Sequence, residues 1–124
     1  MIFQTILLLF IHVCFINSLK PEVLELNNIT KISQNSSIPL TCVPLSGSKP
    51  FTFEWFKNNL KIPNYSPMIT ETENSYSVLN LKNILFSDAG KYSCYVKNSF
   101  GSDSTSTILQ VQGLFSYVIE RCVA

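Results

Sequence analysis

An all-β fold built from seven or so short strands, a sandwich or a barrel, follows from three observations. Alanine occurs only at positions 89 and 124, while Ser, Thr and Asn number 16, 8 and 11, a balance poor for helix and suited to strands and turns. Apolar and polar residues alternate in short stretches separated by turn signals at roughly 8–12-residue spacing. Two cysteines, Cys42 and Cys94, fall on the apolar side of two such stretches and form a natural bridge.

The first eighteen residues are set aside as an export leader. Ile2 to Ile16 is an apolar run broken only by Gln4, Thr5 and His12. It is shorter than the roughly 20 residues a bilayer requires, and it ends in Asn17-Ser18, so cleavage after Ser18 is expected. An uncleaved anchor is the alternative. Removal of the leader takes away the single histidine, His12, together with Cys14, leaving Cys42, Cys94 and Cys122. A mature chain without histidine builds neither a Ser-His-Asp or Cys-His nucleophile nor a zinc site of the usual ligands. The four glycines, Gly47, Gly90, Gly101 and Gly113, are too scattered for a phosphate loop. The expectations are therefore no enzyme, no metal and no cofactor. With 9 basic against 8 acidic residues, the chain also lacks the basic stripe of a nucleic-acid binder.

Along the remaining chain, residues 37–43 put Ile38, Leu40 and Cys42 on one side and Ser37, Pro39 and Thr41 on the other. Pro39 has no N–H to give, so its strand needs an unpaired backbone site there. Residues 51–57 point Phe51, Phe53 and Trp55 one way. Asn58-Asn59 then supplies a turn tolerant of positive φ before Leu60-Lys61-Ile62. Tyr76 to Leu81 brings Leu79 and Leu81 to a common side, and Lys91 to Lys97 does so for Tyr92, Cys94 and Val96. Ser104 to Val111 turns Thr105, Thr107, Leu109 and Val111 inward. Segments 21–34 and 66–71 are weaker strand candidates.

The ordered set Cys42, Trp55, Leu79-Asn80-Leu81 and Asp88-Ala89-Gly90-Lys91-Tyr92-Ser93-Cys94 resembles the framework of the immunoglobulin superfamily. The resemblance implies a β-sandwich of two antiparallel sheets over residues 19–112, with one inter-sheet disulfide between Cys42 and Cys94. It also implies an indole packed on that disulfide, a Tyr92 hydroxyl bonded back to the preceding corner, Asp88 accepting backbone N–H groups there, and Gly90 allowing a tight approach. The stretch from Trp55 to Asp88 has room for three strands but not for the extra hairpin of variable domains. Lys97-Asn98-Ser99-Phe100-Gly101 and Leu109-Gln110-Val111 are similar to the closing turn and strand of the intermediate set, as in one domain of the Down syndrome cell adhesion molecule-like proteins. Residues 113–124 remain an unassigned tail that contains Cys122. It has no apolar run long enough to span a bilayer, so membrane attachment would come only through a further C-terminal part.

The function implied is that of an extracellular protein-binding module, secreted or at the cell surface, for cell–cell adhesion or recognition. Homophilic binding, of the axon-guidance or self-recognition type, belongs to that expectation, and the chain would then be one piece of a larger receptor. The alternative is a secreted single-domain protein of immune recognition. If Trp55 and Cys94 point inward, alternation turns Glu54, Phe56, Ser93 and Tyr95 outward on two paired strands, with the turn around Phe100 at the edge of that face. Asn28, Asn35 and Asn64 begin N-glycosylation sequons, the last followed by Pro67, which lowers its use. Glycans at Asn28 and Asn35 are expected on the opposite sheet.

Overall fold

The computed structural model describes residues 19–72 and 75–113; the expected leader and the tail from residue 114, with Cys14 and Cys122, lie outside the described residues. Among the described residues ten strands follow one another: β1 Glu22–Val23, β2 Ile29–Ser33, β3 Ile38–Cys42, β4 Pro44–Ser46, β5 Thr52–Lys57, β6 Leu60–Ile62, β7 Ile69–Thr72, β8 Tyr76–Leu81, β9 Gly90–Asn98 and β10 Gly101–Gln112. A 3-10 turn, Phe86–Asp88, precedes β9. A five-stranded sheet in the order β2-β10-β9-β5-β6 faces a three-stranded sheet, β3-β8-β7, and β1 pairs with β4.

Every pairing is antiparallel except that β2 runs parallel to β10. The cause lies in the weak segment 21–34, which changes sheets part-way. Its first piece, β1, pairs with β4, and its second piece, β2, joins the opposite sheet. From the end of β1 through the crossing, the backbone leaves the strand ladders: the Leu24 N–H donates to the Val43 carbonyl (2.9 Å), and inward side chains of β10 take up further groups. Asp103 Oδ2 accepts the N–H of Val23 (2.8 Å), Thr105 Oγ1 accepts that of Leu26 (2.9 Å), and the Thr107 hydroxyl donates to the carbonyl of Asn27 (2.6 Å). Thr105 and Thr107 thus face inward as alternation required, and their hydroxyls explain why threonine stands there.

Between the layers lie Leu40, Cys42, Phe51, Phe53, Trp55, Leu79, Leu81, Tyr92, Cys94, Val96 and Leu109, all buried, with Val23 and Ile84 completing the cluster. Each such apolar side chain contributes on the order of 1.5–3 kcal/mol of transfer free energy against the ordering entropy of the chain. Cys42 and Cys94 are bonded across the layers (S–S 2.06 Å). Pro39 lies on β3, an outer strand of its three-stranded sheet, where a missing donor is tolerated.

Candidate protein-binding face

The outer face of β5 and β9 is held in place by buried chemistry beneath it. Trp55 is opposite Cys94 in the β5–β9 register, and its fully buried indole Nε1 donates across the sandwich to Ser77 Oγ at 2.9 Å. Ser77 in turn is opposite Cys42 on β3. Indole, disulfide and serine therefore join the two sheets at one level. Ser77 was not singled out from the sequence; its period-two spacing from Leu79 and Leu81 is the signal that would have placed it inward, but nothing local reveals its partner.

Two corners fix the ends of β5 and β9. Asn58 and Asn59 take φ of +49° and +66° in the hairpin turn. Asn58 then clasps β9: its N–H donates to the Lys91 carbonyl at 2.8 Å and its Oδ1 accepts the Lys91 N–H at 2.9 Å. Gly90, at φ +147°, makes room for this clasp, because a Cβ there would stand 2.6 Å from Asn58 Oδ1. In the preceding corner the Tyr92 hydroxyl donates to the Asp88 carbonyl (2.5 Å), Asp88 Oδ2 accepts the Leu85 N–H (2.7 Å), and Lys57 Nζ lies 5.9 Å from the Tyr92 ring centre. At the other end, Asn98 Oδ1 accepts the N–H groups of Phe100 and Gly101, while its Nδ2 donates to the carbonyls of Leu19 and Ser48.

Burial, and secondarily the charge of Asp88, pushes the Tyr92 phenol up from 10.0 to about 12. The unfolded phenol ionises near 10, so this group's contribution to stability is complete below that pH and is lost as pH rises towards 12. Tyr92→Phe is expected to cost about 1 kcal/mol at neutral pH. It should also flatten the decline in stability between pH 10 and 12, which urea titrations of both proteins across that range will show.

On the outer face, the rings of Phe56 and Tyr95 meet edge to face with centroids 5.1 Å apart. Glu54 lies opposite Tyr95 in the register, and its Oε1 accepts a hydrogen bond from Lys97 Nζ at 3.2 Å. This face differs from the expectation in two respects. Ser93 points outward but is only 8% exposed, because it lies between Phe56 on one neighbouring strand and Ser106 on the other, so it supports the face from beneath. The second is an omission: β10 adds exposed Ser104, opposite Tyr95, and exposed Ser106, opposite Ser93, so a strip of small hydroxyls borders the aromatic pair. Phe100 is 40% exposed in the turn that follows β9, and among the described residues no ring contact joins it to the Phe56–Tyr95 pair.

Asn28 also needs relocating. It immediately precedes β2, and its Oδ1 accepts the Ile108 N–H at 3.1 Å, so it stands at the edge of the five-stranded sheet and not on the opposite one. Asn35 (φ +65°) occupies the turn from β2 to β3, and Asn64 the connection from β6 to β7. On the three-stranded side there is a shallow depression of about 300 Å³ lined by Pro67, Met68, Asn80, Leu81, Lys82 and Asp88. Among the described residues, no three His, Cys, Asp or Glu side chains gather into a group able to hold a metal ion. No helix of the described residues is long and apolar enough to cross a membrane.

Residues 21–111 match the immunoglobulin I-set domain. The chain belongs to this family. Chicken neural cell adhesion molecule 1 is 31% identical over 98 residues, which cover 75% of this chain and 9% of that protein. Chicken M-protein of striated muscle is 29% identical over 87 residues, 69% of this chain and 6% of that one. The I-set chain thus spans less than a tenth of either relative. Among solved structures, the Dscam1 Ig7 domain, isoform 5, superimposes with a TM-score of 0.70 at 23% identity, over 77% of this chain and 99% of that domain, a likeness of fold. The three strands β6, β7 and β8 between β5 and β9 agree with the intermediate set.

Proposed function

We propose that this I-set domain is an extracellular protein-recognition module of the adhesion type, exported by the leader 1–18, which binds through the outer face of β5, β9 and β10. The observation that carries the reading is the Phe56–Tyr95 pair, two aromatic rings braced against each other outside a sheet whose inner side is locked by Trp55 and the disulfide. A rigid aromatic centre with a polar rim is the composition of protein-binding hot spots. The inter-sheet disulfide supports an oxidising compartment, and the similarity to a neural cell adhesion molecule supports adhesion.

Self-association is the form of binding this face fits best. Adjacent opposite charges, Glu54 and Lys97, and an aromatic ridge beside a serine strip complement themselves in a two-fold contact. One domain binds weakly, and arrays gain strength through copies. The test displays residues 19–113 singly and in tandem arrays and measures self-association and cell aggregation. Phe56→Ala with Tyr95→Ala is expected to weaken it by about 30-fold or more, the equivalent of one hot spot of about 2 kcal/mol, with the disulfide and thermal unfolding retained. Undiminished association by that variant would place the contact elsewhere. Absence of self-association in every format, with binding to an unrelated microbial or host ligand, would replace adhesion by secreted immune recognition.

A further inference from the structure

The three sequons share a feature of placement that their sequence positions do not show. The outermost strands of the two facing sheets are β2 and β6 in one and β3 and β7 in the other. The chain passes from β2 to β3 through residues 34–37 and from β6 to β7 through residues 63–68. Asn35 lies in the first passage, Asn64 in the second, and Asn28 directly before β2. All three are exposed. None begins a sequon on β5, β8, β9 or β10, the strands that carry the two broad faces and their centre.

The amides are also free to react. Asn28 uses its Oδ1 to hold the Ile108 N–H, which leaves Nδ2 directed away from that bond. Among the described residues, Asn35 is engaged through its backbone N–H, to the Ile84 carbonyl at 2.8 Å, and not through its side chain. Asn64 lies inside a turn closed by the Ser66 N–H on the Pro63 carbonyl at 2.9 Å. A glycan on Nδ2 at any of the three therefore breaks no hydrogen bond among the described residues.

We propose that Asn28, Asn35 and Asn64 are N-glycosylated and that the glycans guard the lateral edges of the sandwich, confining association to the sheet face. In the reaction, Nδ2 attacks the anomeric carbon of a polyprenyl-diphosphate-linked oligosaccharide. A C–N bond forms, the anomeric C–O bond breaks, the amide gives up one proton and the lipid diphosphate departs. The physical advantage is that an unguarded strand edge is a template for another strand, and a bulky, hydrated group beside it excludes that pairing while leaving the aromatic face open. The proposal rests on the extracellular reading, since the donor is met only on export.

The test expresses the full chain in a secreting eukaryotic cell and locates modified asparagines by mass spectrometry after enzymatic deglycosylation in heavy-oxygen water. Near-complete conversion at Asn28 and Asn35, with a smaller fraction at Asn64 because of Pro67, is expected. Next, the folded secreted protein is trimmed with an endoglycosidase, and in parallel the triple variant Asn28→Gln, Asn35→Gln, Asn64→Gln is made. Light scattering should show a shift from monomer to oligomer in the trimmed protein, and this shift should persist when Phe56→Ala and Tyr95→Ala are added. Trimming works on protein already folded, so it decides the matter even if the triple variant does not fold. Export with the disulfide formed but bare asparagines, or trimming without any shift in size, would overturn the proposal alone. A chain kept in the cytosol with Cys42 and Cys94 reduced would overturn the extracellular reading as well.

Discussion

Trp55→Ala is expected to lower the free energy of unfolding by about 3–5 kcal/mol and, if the chain is exported as proposed, to abolish secretion of most of it. The size of the effect follows from the place of the indole. It is fully buried between the sheets, so truncation leaves a cavity that the flanking strands, pinned by the disulfide, close only in part. The Ser77 hydroxyl, which now receives the indole N–H, is also left buried without that donor. A domain of this size has about 5–15 kcal/mol in total, so the variant sits near the threshold of folding. Trp55→Phe refills most of the volume but not the hydrogen bond, and Trp55→Phe with Ser77→Ala removes both partners. The ordering expected from urea unfolding is wild type, then the double variant close to or above Trp55→Phe, then Trp55→Ala. Unfolding of Trp55→Ala at the wild-type midpoint would contradict the placement of the side chain.

How far this could be read from the sequence depends on whether an element's partners are near it in the alternation. Phe51, Phe53, Trp55, Tyr92, Cys94 and Val96 were assigned to the core because period-two direction needs only the residue's own strand, and all are buried. The turn at Asn58-Asn59 was equally local. Direction does not report cover, which explains Ser93: it points outward as expected, yet its neighbours Phe56 and Ser106 come from strands about 37 and 13 residues away and bury it. The split of segment 21–34 into β1 and a parallel β2 was hidden for the same reason. It is decided by Asp103, Thr105 and Thr107, side chains about 80 residues later that accept or supply the hydrogen bonds of the crossing. β4 was missed because Pro44–Ser46 has no alternation of its own and exists as a strand only by pairing with β1. The candidate face is thus half legible: its aromatic pair on β5 and β9 was, and the serine strip that β10 lays beside it was not.

The second large effect concerns the Cys42–Cys94 bond. It closes a separation of 52 residues, and in the loop-entropy account its removal by Cys42→Ala with Cys94→Ala costs about 4 kcal/mol. Proteolytic mapping without reduction is expected to recover a Cys42–Cys94 crosslinked peptide; a Cys42–Cys122 link would contradict the framework. The cost should not add to that of Trp55→Ala. Trp55 is the cross-strand partner of Cys94, and Ser77, which holds the indole, is the partner of Cys42, so each variant loosens the setting of the other. With the disulfide absent, the sheets can close partly over the cavity left by the indole, and the loss from Trp55→Ala should shrink. A double-mutant cycle in urea, run in a background stable enough to keep the cysteine-free protein folded, measures that coupling directly. Strict additivity would show that indole and disulfide hold the sheets together independently, and the account of a single joint between them would have to be given up.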